Sequence, residues 1–522
     1  MRLAMAKQVR MPAFLWLEAL IFVIGIGLYA FQLGAESLWI DEMLSIGSAR
    51  GPLDLNRPLY FVLLRGWLRV GENEVWLRSL SVLFGLASLS LTYWLGCRLV
   101  SRSVGLVAAL LFALSPLAIN HAQEVRFYIM SACLGVAGSL FLSDCFRDAR
   151  GSRVCGSLYE SNARGRKGGG CSGAISLGGW IVCRCLGFLT AQPNLLLIVP
   201  DFLLIGWTTA VRSRQQQLDF RKWRWALVLL AVPTAIILKD TVPPLIDFLL
   251  NQKWYAGAAR APTVTNLVGL LAALTAWPLA GPEELSGFYQ PIFKLYAGLI
   301  LAGSLLPVLY KKLRSPQLVW LAFWGFLPVV LVFCLSQVFP FLWLERYAVI
   351  SIPYIAILLA ASWVWLWERR KEVAVAIALF YLIALSGPLL RYYTTDYRAD
   401  WRGLSQEMEL LAETGDLAVV YPSSFLPYID YYYEGKAELI PIEEIDSFGD
   451  VDAALLAQDI EQLTLANRRF WLVCPIKEHW NSVREDVFEE LAEKGFVLER
   501  TSARVDHWNW GPVLYLFERR SA

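Results

Sequence analysis

The sequence predicts an α-helical multi-span membrane protein that ends in a small α/β domain. Three observations carry this. Hydrophobic residues make up 57% of the 522-residue chain and charged residues only 18%, with a mean hydropathy of +0.47, which is more apolar surface than a soluble fold of this size carries. The apolar residues fall in blocks close to the ~20 residues needed to cross a bilayer. After Leu390 the blocks stop and charged and polar residues spread throughout.

Taken in order, the blocks are 13–33, 79–97, 104–120, 127–146, 174–190, 192–209, 225–240, 292–310, 317–339, 347–367 and 373–390, about eleven spans at the length a bilayer requires. Lys and Arg collect on the cytoplasmic side of such proteins. Arg2, Lys7 and Arg10 place the N-terminus in the cytoplasm. Alternation then puts Arg98 with Arg102, 147–167, 212–224, Lys311-Lys312-Leu313-Arg314 and Arg369-Arg370-Lys371 on that same side, and each is basic. Counting Val264 to Pro278 as another span would turn the Lys311 cluster outward, so 241–291 reads as one external segment of interfacial or re-entrant character. Residues 148–180, rich in Gly, Ser, Arg and Cys, read as a flexible cytoplasmic loop.

In the last part, 391–522, Asp416 to Tyr421, Phe470 to Pro475, Gly495 to Glu499 and Pro512 to Phe517 have strand character. Trp401 to Thr414, Val451 to Ala466 and Ser482 to Lys494 have helical periodicity. Span parity makes this domain extracytoplasmic, on a plasma membrane. The net charge of +2 gives no electrostatic case for nucleic acid. The nine cysteines show no zinc-ligand spacing and read as small apolar residues, with no disulfide assigned.

Chemistry gathers in three external stretches. The loop from Leu33 to Arg78 contains Trp39-Ile40-Asp41-Glu42 beyond the first span, and two adjacent carboxylates near lipid are costly unless they face water or a polar cavity. The second stretch is His121 to Tyr128, where a helix would bring His121, Glu124 and Tyr128 onto one face. The third is Leu344-Glu345-Arg346-Tyr347. A carboxylate can take a proton from a hydroxyl, and arginine presents a planar fork of donors to phosphate. Paired acids with separate arginines therefore suit transfer of a group from a lipid phosphate to an alcohol. Plainer readings stand beside this one: a solvated acid pair for Asp41-Glu42, a bundle-satisfying ion pair for Glu124 and Arg126, an interface histidine for His121, and a snorkelling anchor for Arg346.

Taken together, these motifs resemble the bacterial GT-C glycosyltransferases of the family 39 type, relatives of the protein O-mannosyltransferases and of the aminoarabinose transferase of lipid A. More narrowly, the chain is similar to the group named after the Rhizobium lipopolysaccharide galacturonosyltransferases. The resemblance rests on Trp39-Ile40-Asp41-Glu42, Asn56-Arg57-Pro58-Leu59-Tyr60, Arg78, Ser115-Pro116 leading to His121-Ala122-Gln123-Glu124-Val125-Arg126-Phe127-Tyr128, Glu345-Arg346-Tyr347 with Pro353, and Asp400-Trp401-Arg402-Gly403. It implies a GT-C-like bundle over 1–390, a sugar donor on a polyprenyl phosphate, a glycan, lipid or protein acceptor, and inversion at the anomeric carbon. By the same resemblance Asp41 would be the base or its organiser, Glu42 its support and Glu124 a further acid. Arg126, Arg346 and Arg57 would serve the donor phosphate. A divalent metal stays open, with His121 and Glu124 as the ligands it would use. Residues 148–180 depart from the Trp/Leu-rich spans usual there. A transporter or flippase of lipid-linked glycans is the alternative from another class, and a membrane scaffold with an external binding domain is a third.

Overall fold

A computed structural model describes residues 10–52, 58–147, 169–212, 235, 239, 261–276, 289–443, 453–464, 467–475, 478–506 and 511–519. Its helices in chain order are α1 Arg10–Ala30, α2 Ile40–Arg50, α3 Pro58–Leu68, α4 Glu74–Leu99, α5 Arg102–Ala113, α6 Pro116–Ala122, α7 Tyr128–Arg147, α8 Gly169–Thr190, α9 Ile198–Arg212, α10 Val264–Ala276, α11 Tyr289–Leu309, α12 Pro316–Ser336, α13 Ile352–Trp367, α14 Lys371–Thr394, α15 Trp401–Leu411, α16 Leu426–Tyr432, α17 Ala453–Leu463 and α18 Glu478–Glu493. The chain forms two compact units. The first comprises Met1–Phe31 and Ser48–Tyr392, the second Gln32–Gly47 and Tyr393–Ala522.

The first unit is a helical membrane bundle. Among the described residues, α4, most of α7, α12, Glu345–Trp367 and α14 are long and apolar enough to cross a bilayer, and shorter apolar helices lie at Leu15–Ala30, Pro58–Leu68, Ala174–Thr190 and Lys294–Leu309. Close approach is set by small residues: a Cβ on Gly105 would lie 2.6 Å from the Tyr93 carbonyl, so only glycine lets α5 pack this near α4. The first span is held near both ends. Glu18 accepts from Arg102 at 2.7 Å and from the Tyr93 hydroxyl, while Gln123 donates to the Leu28 and Phe31 carbonyls at 3.0 and 2.9 Å.

Three expected spans differ in detail. The block 104–120 is broken: α5 ends at Ala113, and α6 departs at 64°. The cause is Ser115-Pro116, where the serine caps α6 by accepting from the Ala118 N–H at 3.4 Å, and Pro116, at its first position, lacks the donor a continuous helix needs. The expected spans at 192 and 347 begin as 3₁₀ turns, Gln192–Leu197 and Glu345–Ser351. The block 225–240 lies outside the described residues apart from positions 235 and 239. In the segment 241–291, expected to be external, residues 261–276 and 289–291 are described, and Val264–Ala276 of them are helical as α10. The loop expected at 148–180 is helical from Gly169 onward.

The second unit has a five-stranded sheet of β1 Leu417–Val420, β2 Glu438–Pro441, β3 Arg469–Pro475, β4 Phe496–Ala503 and β5 Pro512–Arg519, in the order β2-β1-β3-β5-β4. The first three strands in that order are mutually parallel, and β5 runs antiparallel to both β3 and β4. Val419, Phe470, Leu472, Tyr515 and Phe517 form its core with Leu456 and Ile460 of α17 and Val487 and Leu491 of α18. The sequence reading missed β2 and α16. The four residues of β2 are exposed or half-buried, so no alternation marks an edge strand this short.

Candidate active site

In the first unit, the residues expected on one helical face are brought together by a bend. Helix α6 ends at Ala122, residues 123–127 bend, and α7 begins at Tyr128. The Ser81 hydroxyl of α4 donates to the Glu124 carbonyl and, at 3.4 Å, to that of Arg126, so α4 takes up backbone acceptors that a helix would have used internally. Buried Arg78 lies one turn earlier on α4.

Within the bend, His121 Nδ1 and Glu124 Oε2 are 2.9 Å apart, Asn120 donates to Glu124 Oε1 at 2.9 Å, and the His121 ring lies 5.0 Å from that of Tyr128. His121, Glu124 and Arg126 are all buried. His121 Nε2 is buried without a hydrogen-bond partner among the described residues. Two guanidinium groups converge on Tyr128: Arg126 lies 5.5 Å and Arg346 5.8 Å from its ring centroid, and Arg126 also donates to its hydroxyl at 3.3 Å. Arg346 arrives from the 3₁₀ turn Glu345–Ser351, which packs on α7 and α10. The Ser115 hydroxyl donates to the Leu274 carbonyl at 2.9 Å, joining α10 to the hinge.

The Asp41-Glu42 loop belongs to the second unit, where the two carboxylates have different surroundings. Trp39 precedes α2, and Glu42 reaches back to accept from its N–H at 3.2 Å, half of a capping box. Glu42 is fully buried, and its Oε2 lies 3.4 Å from Arg398. Arg398 also lies 3.4 Å from Glu36, and Asp400 accepts from Ser37 at 3.0 Å. The Tyr432 hydroxyl accepts from the Leu38 N–H at 2.7 Å. Glu42 is therefore fastened, while Asp41 is only partly buried. Burial pushes the Tyr428 phenol up, as does the nearby Asp41 carboxylate, so Tyr428 stays a neutral hydroxyl.

Arg57 lies outside the described residues. A metal would have His121 and Glu124, but these bond to each other, and the described residues hold no cluster of three His, Cys, Asp or Glu side chains able to hold an ion. Sequence reasoning missed Arg398 and Tyr428. The Asp400-Trp401-Arg402-Gly403 motif, two residues past Arg398, was the signal for the first, and nothing in the sequence marked the second.

The fold is that of the GT-C glycosyltransferases, a helical membrane bundle with a small sheet-containing unit. Among solved structures, it is similar to ArnT from Cupriavidus metallidurans in the apo state, with a TM-score of 0.55 and 13% identity over 97% of this chain and 98% of that one. The same ArnT bound to undecaprenyl phosphate gives 0.51 and 12% over 95% and 97%. The apo Archaeoglobus fulgidus oligosaccharyltransferase gives 0.52 and 11%, over 94% of this chain and 73% of that one. No known family profile and no curated protein matches the sequence.

Proposed function

We propose that the protein is an inverting membrane glycosyltransferase that moves a sugar from a polyprenyl phosphate to a hydroxyl acceptor on the non-cytoplasmic side of a bacterial plasma membrane. The carrying observation is the convergence of Arg126 and Arg346 on Tyr128 beside the buried His121–Glu124 pair. Two guanidiniums with a histidine nitrogen free to bond suit the phosphate of a lipid carrier. The similarity to an ArnT structure holding undecaprenyl phosphate supports the donor class.

In this reading a carboxylate, the role the family resemblance gives to Asp41, accepts the proton of the acceptor hydroxyl as its oxygen bonds to the anomeric carbon. The bond from that carbon to the phosphate oxygen breaks, and the polyprenyl phosphate leaves with the electron pair, its charge met by arginine, the role the resemblance gives to Arg126 and Arg346. One displacement inverts the centre. Glu42, paired with Arg398 and the Trp39 N–H, holds the loop that carries Asp41, and Glu124 holds the His121 ring.

A flippase of lipid-linked glycans is favoured by one observation, the broken span at Ser115-Pro116, since interrupted helices mark transporter sites. Reconstituted vesicles separate the two. Supplied with a polyprenyl-phosphate sugar and acceptor extract, a transferase releases sugar-free polyprenyl phosphate, whereas a flippase moves the lipid intact. Mass spectrometry of envelope glycolipids with and without the gene would name the sugar through a missing mass increment. Unchanged glycolipids together with intact donor in the vesicles would refute the proposal.

A further inference from the structure

A second chemical environment lies in the same bundle, running along the helices from Leu114 beside the hinge to Leu306 and Leu366. A cavity of about 420 Å³ opens among α5, α11, α13 and α14, walled by Leu110, Leu306, Leu359, Trp363, Ala378 and Tyr381 among others. This is nearly three times the ~150 Å³ of an apolar protein cavity known to hold benzene. Leu299, Ile377 and Leu382 of its wall are surface-exposed, so it opens sideways between α11 and α14, where an apolar bundle meets lipid. Such a space takes hydrocarbon rather than water.

What lies at its end decides which hydrocarbon. Leu306 is near the end of α11, Trp363 and Leu366 near the end of α13, and Ile377 near the start of α14. These ends lead into two turns, Lys311-Lys312-Leu313-Arg314 and Arg369-Arg370-Lys371. The turns adjoin through Trp365: its ring lies 5.3 Å from that of Tyr310, and the Arg369 guanidinium sits 4.5 Å from its centroid. All six basic residues are exposed, and the carboxylates next to these turns in the sequence are Glu368, 3.8 Å from Arg369, and Glu372. One turn-to-turn patch thus joins an excess of positive charge to the mouth of an apolar slot.

We infer that this slot is a binding site for an anionic phospholipid of the leaflet on the basic side, which is the cytoplasmic one by charge bias. An acyl chain enters between α11 and α14, and the headgroup phosphate rests on the Arg369 and Lys311 turns. A basic patch at the end of a transmembrane slot has the chemistry of anionic headgroup recognition. The site requires only that the bundle sit in a membrane and is independent of the transfer reaction.

Native mass spectrometry of the purified full-length chain, offered equal amounts of dioleoyl phosphatidylglycerol and dioleoyl phosphatidylcholine, tests the inference. The expected result is one retained phosphatidylglycerol. Joint replacement by R369Q, R370Q and K371Q should weaken that retention by more than about tenfold without disturbing the bundle, since all three residues are exposed. Ala378→Phe, which fills the slot, should abolish retention of either lipid. Equal retention of both lipids by the native chain, or unchanged preference in the triple variant, would overturn the assignment. So would a polyprenyl phosphate that displaces phosphatidylglycerol and is itself lost in Ala378→Phe, because the slot would then belong to the donor chain.

Discussion

Two buried polar clusters lie in the same helical bundle and differ in how completely their bonds are closed. In the first, Arg184 of α8 and Asp201 of α9 are fully buried and meet at 2.6 Å. Asp201 also accepts from the indole N–H groups of Trp180 and Trp324, each at 2.8 Å. Arg184 donates to the Gly135 carbonyl and the Ser139 hydroxyl, and Ser139 bonds Tyr354. Gly138 leaves room for it, since a Cβ there would lie 2.6 Å from the guanidinium. Five helices are joined through one closed network. The second cluster, around His121, Glu124, Arg126 and Arg346, leaves His121 Nε2 buried without a partner among the described residues. Charge buried in a membrane has to be compensated. Closed compensation fastens helices, whereas an open bond is where a ligand can be received.

The largest expected effect on stability falls on the closed cluster. Arg184→Met leaves the Asp201 carboxylate without its counter-charge, at a cost on the order of 3–5 kcal/mol. The unfolding midpoint of the detergent-solubilised protein should fall sharply, and adding Asp201→Leu should recover much of the loss. A single variant as stable as the native chain would break the distinction between the clusters.

In the open cluster the same kind of change should spare the fold. Glu124→Gln is expected to lower the turnover of a polyprenyl-phosphate sugar on the order of 100-fold while leaving the unfolding midpoint nearly in place. A fall in stability with turnover retained would make Glu124 a fastening residue like Asp201. Arg346 sharpens the point. Removing its charge-assisted bonds in Arg346→Ala should cost about 1.5–3 kcal/mol of transition-state stabilisation, and Arg346→Lys, which keeps the charge but loses the fork, should fall between. Equal rates for Lys and Arg would argue against bidentate contact with phosphate. The smallest effect belongs to the hinge: Ser115→Ala removes the cap of α6 and should cost about 0.5–2 kcal/mol, read as a modest drop in the unfolding midpoint.

The contrast between the clusters also marks what the sequence could reveal. Long apolar blocks identified most helices because a bilayer imposes a length, and span ends carrying His121, Glu124 and Arg346 stood out against apolar neighbours. Arg184 was passed over between two cysteines in an apolar run, because its partner Asp201 is 17 residues away and only tertiary packing pairs them. The single face expected for His121, Glu124 and Tyr128 failed for a local reason: the short Pro116 helix runs out at Ala122, and a bend completes the grouping instead. As neighbours in sequence Asp41 and Glu42 were told apart only by the family resemblance, which made Asp41 the base or its organiser and Glu42 its support. Arg398, more than 350 residues later, separates a fastened carboxylate from a partly exposed one.

That separation gives the most direct test. Purified Asp41→Asn protein, supplied with a synthetic polyprenyl-phosphate sugar and its acceptor, should release polyprenyl phosphate on the order of 10²- to 10⁴-fold more slowly than the native chain, with an unchanged unfolding midpoint. Turnover at the native rate in that variant would contradict the account, because no carboxylate at position 41 would then be needed to take the acceptor's proton.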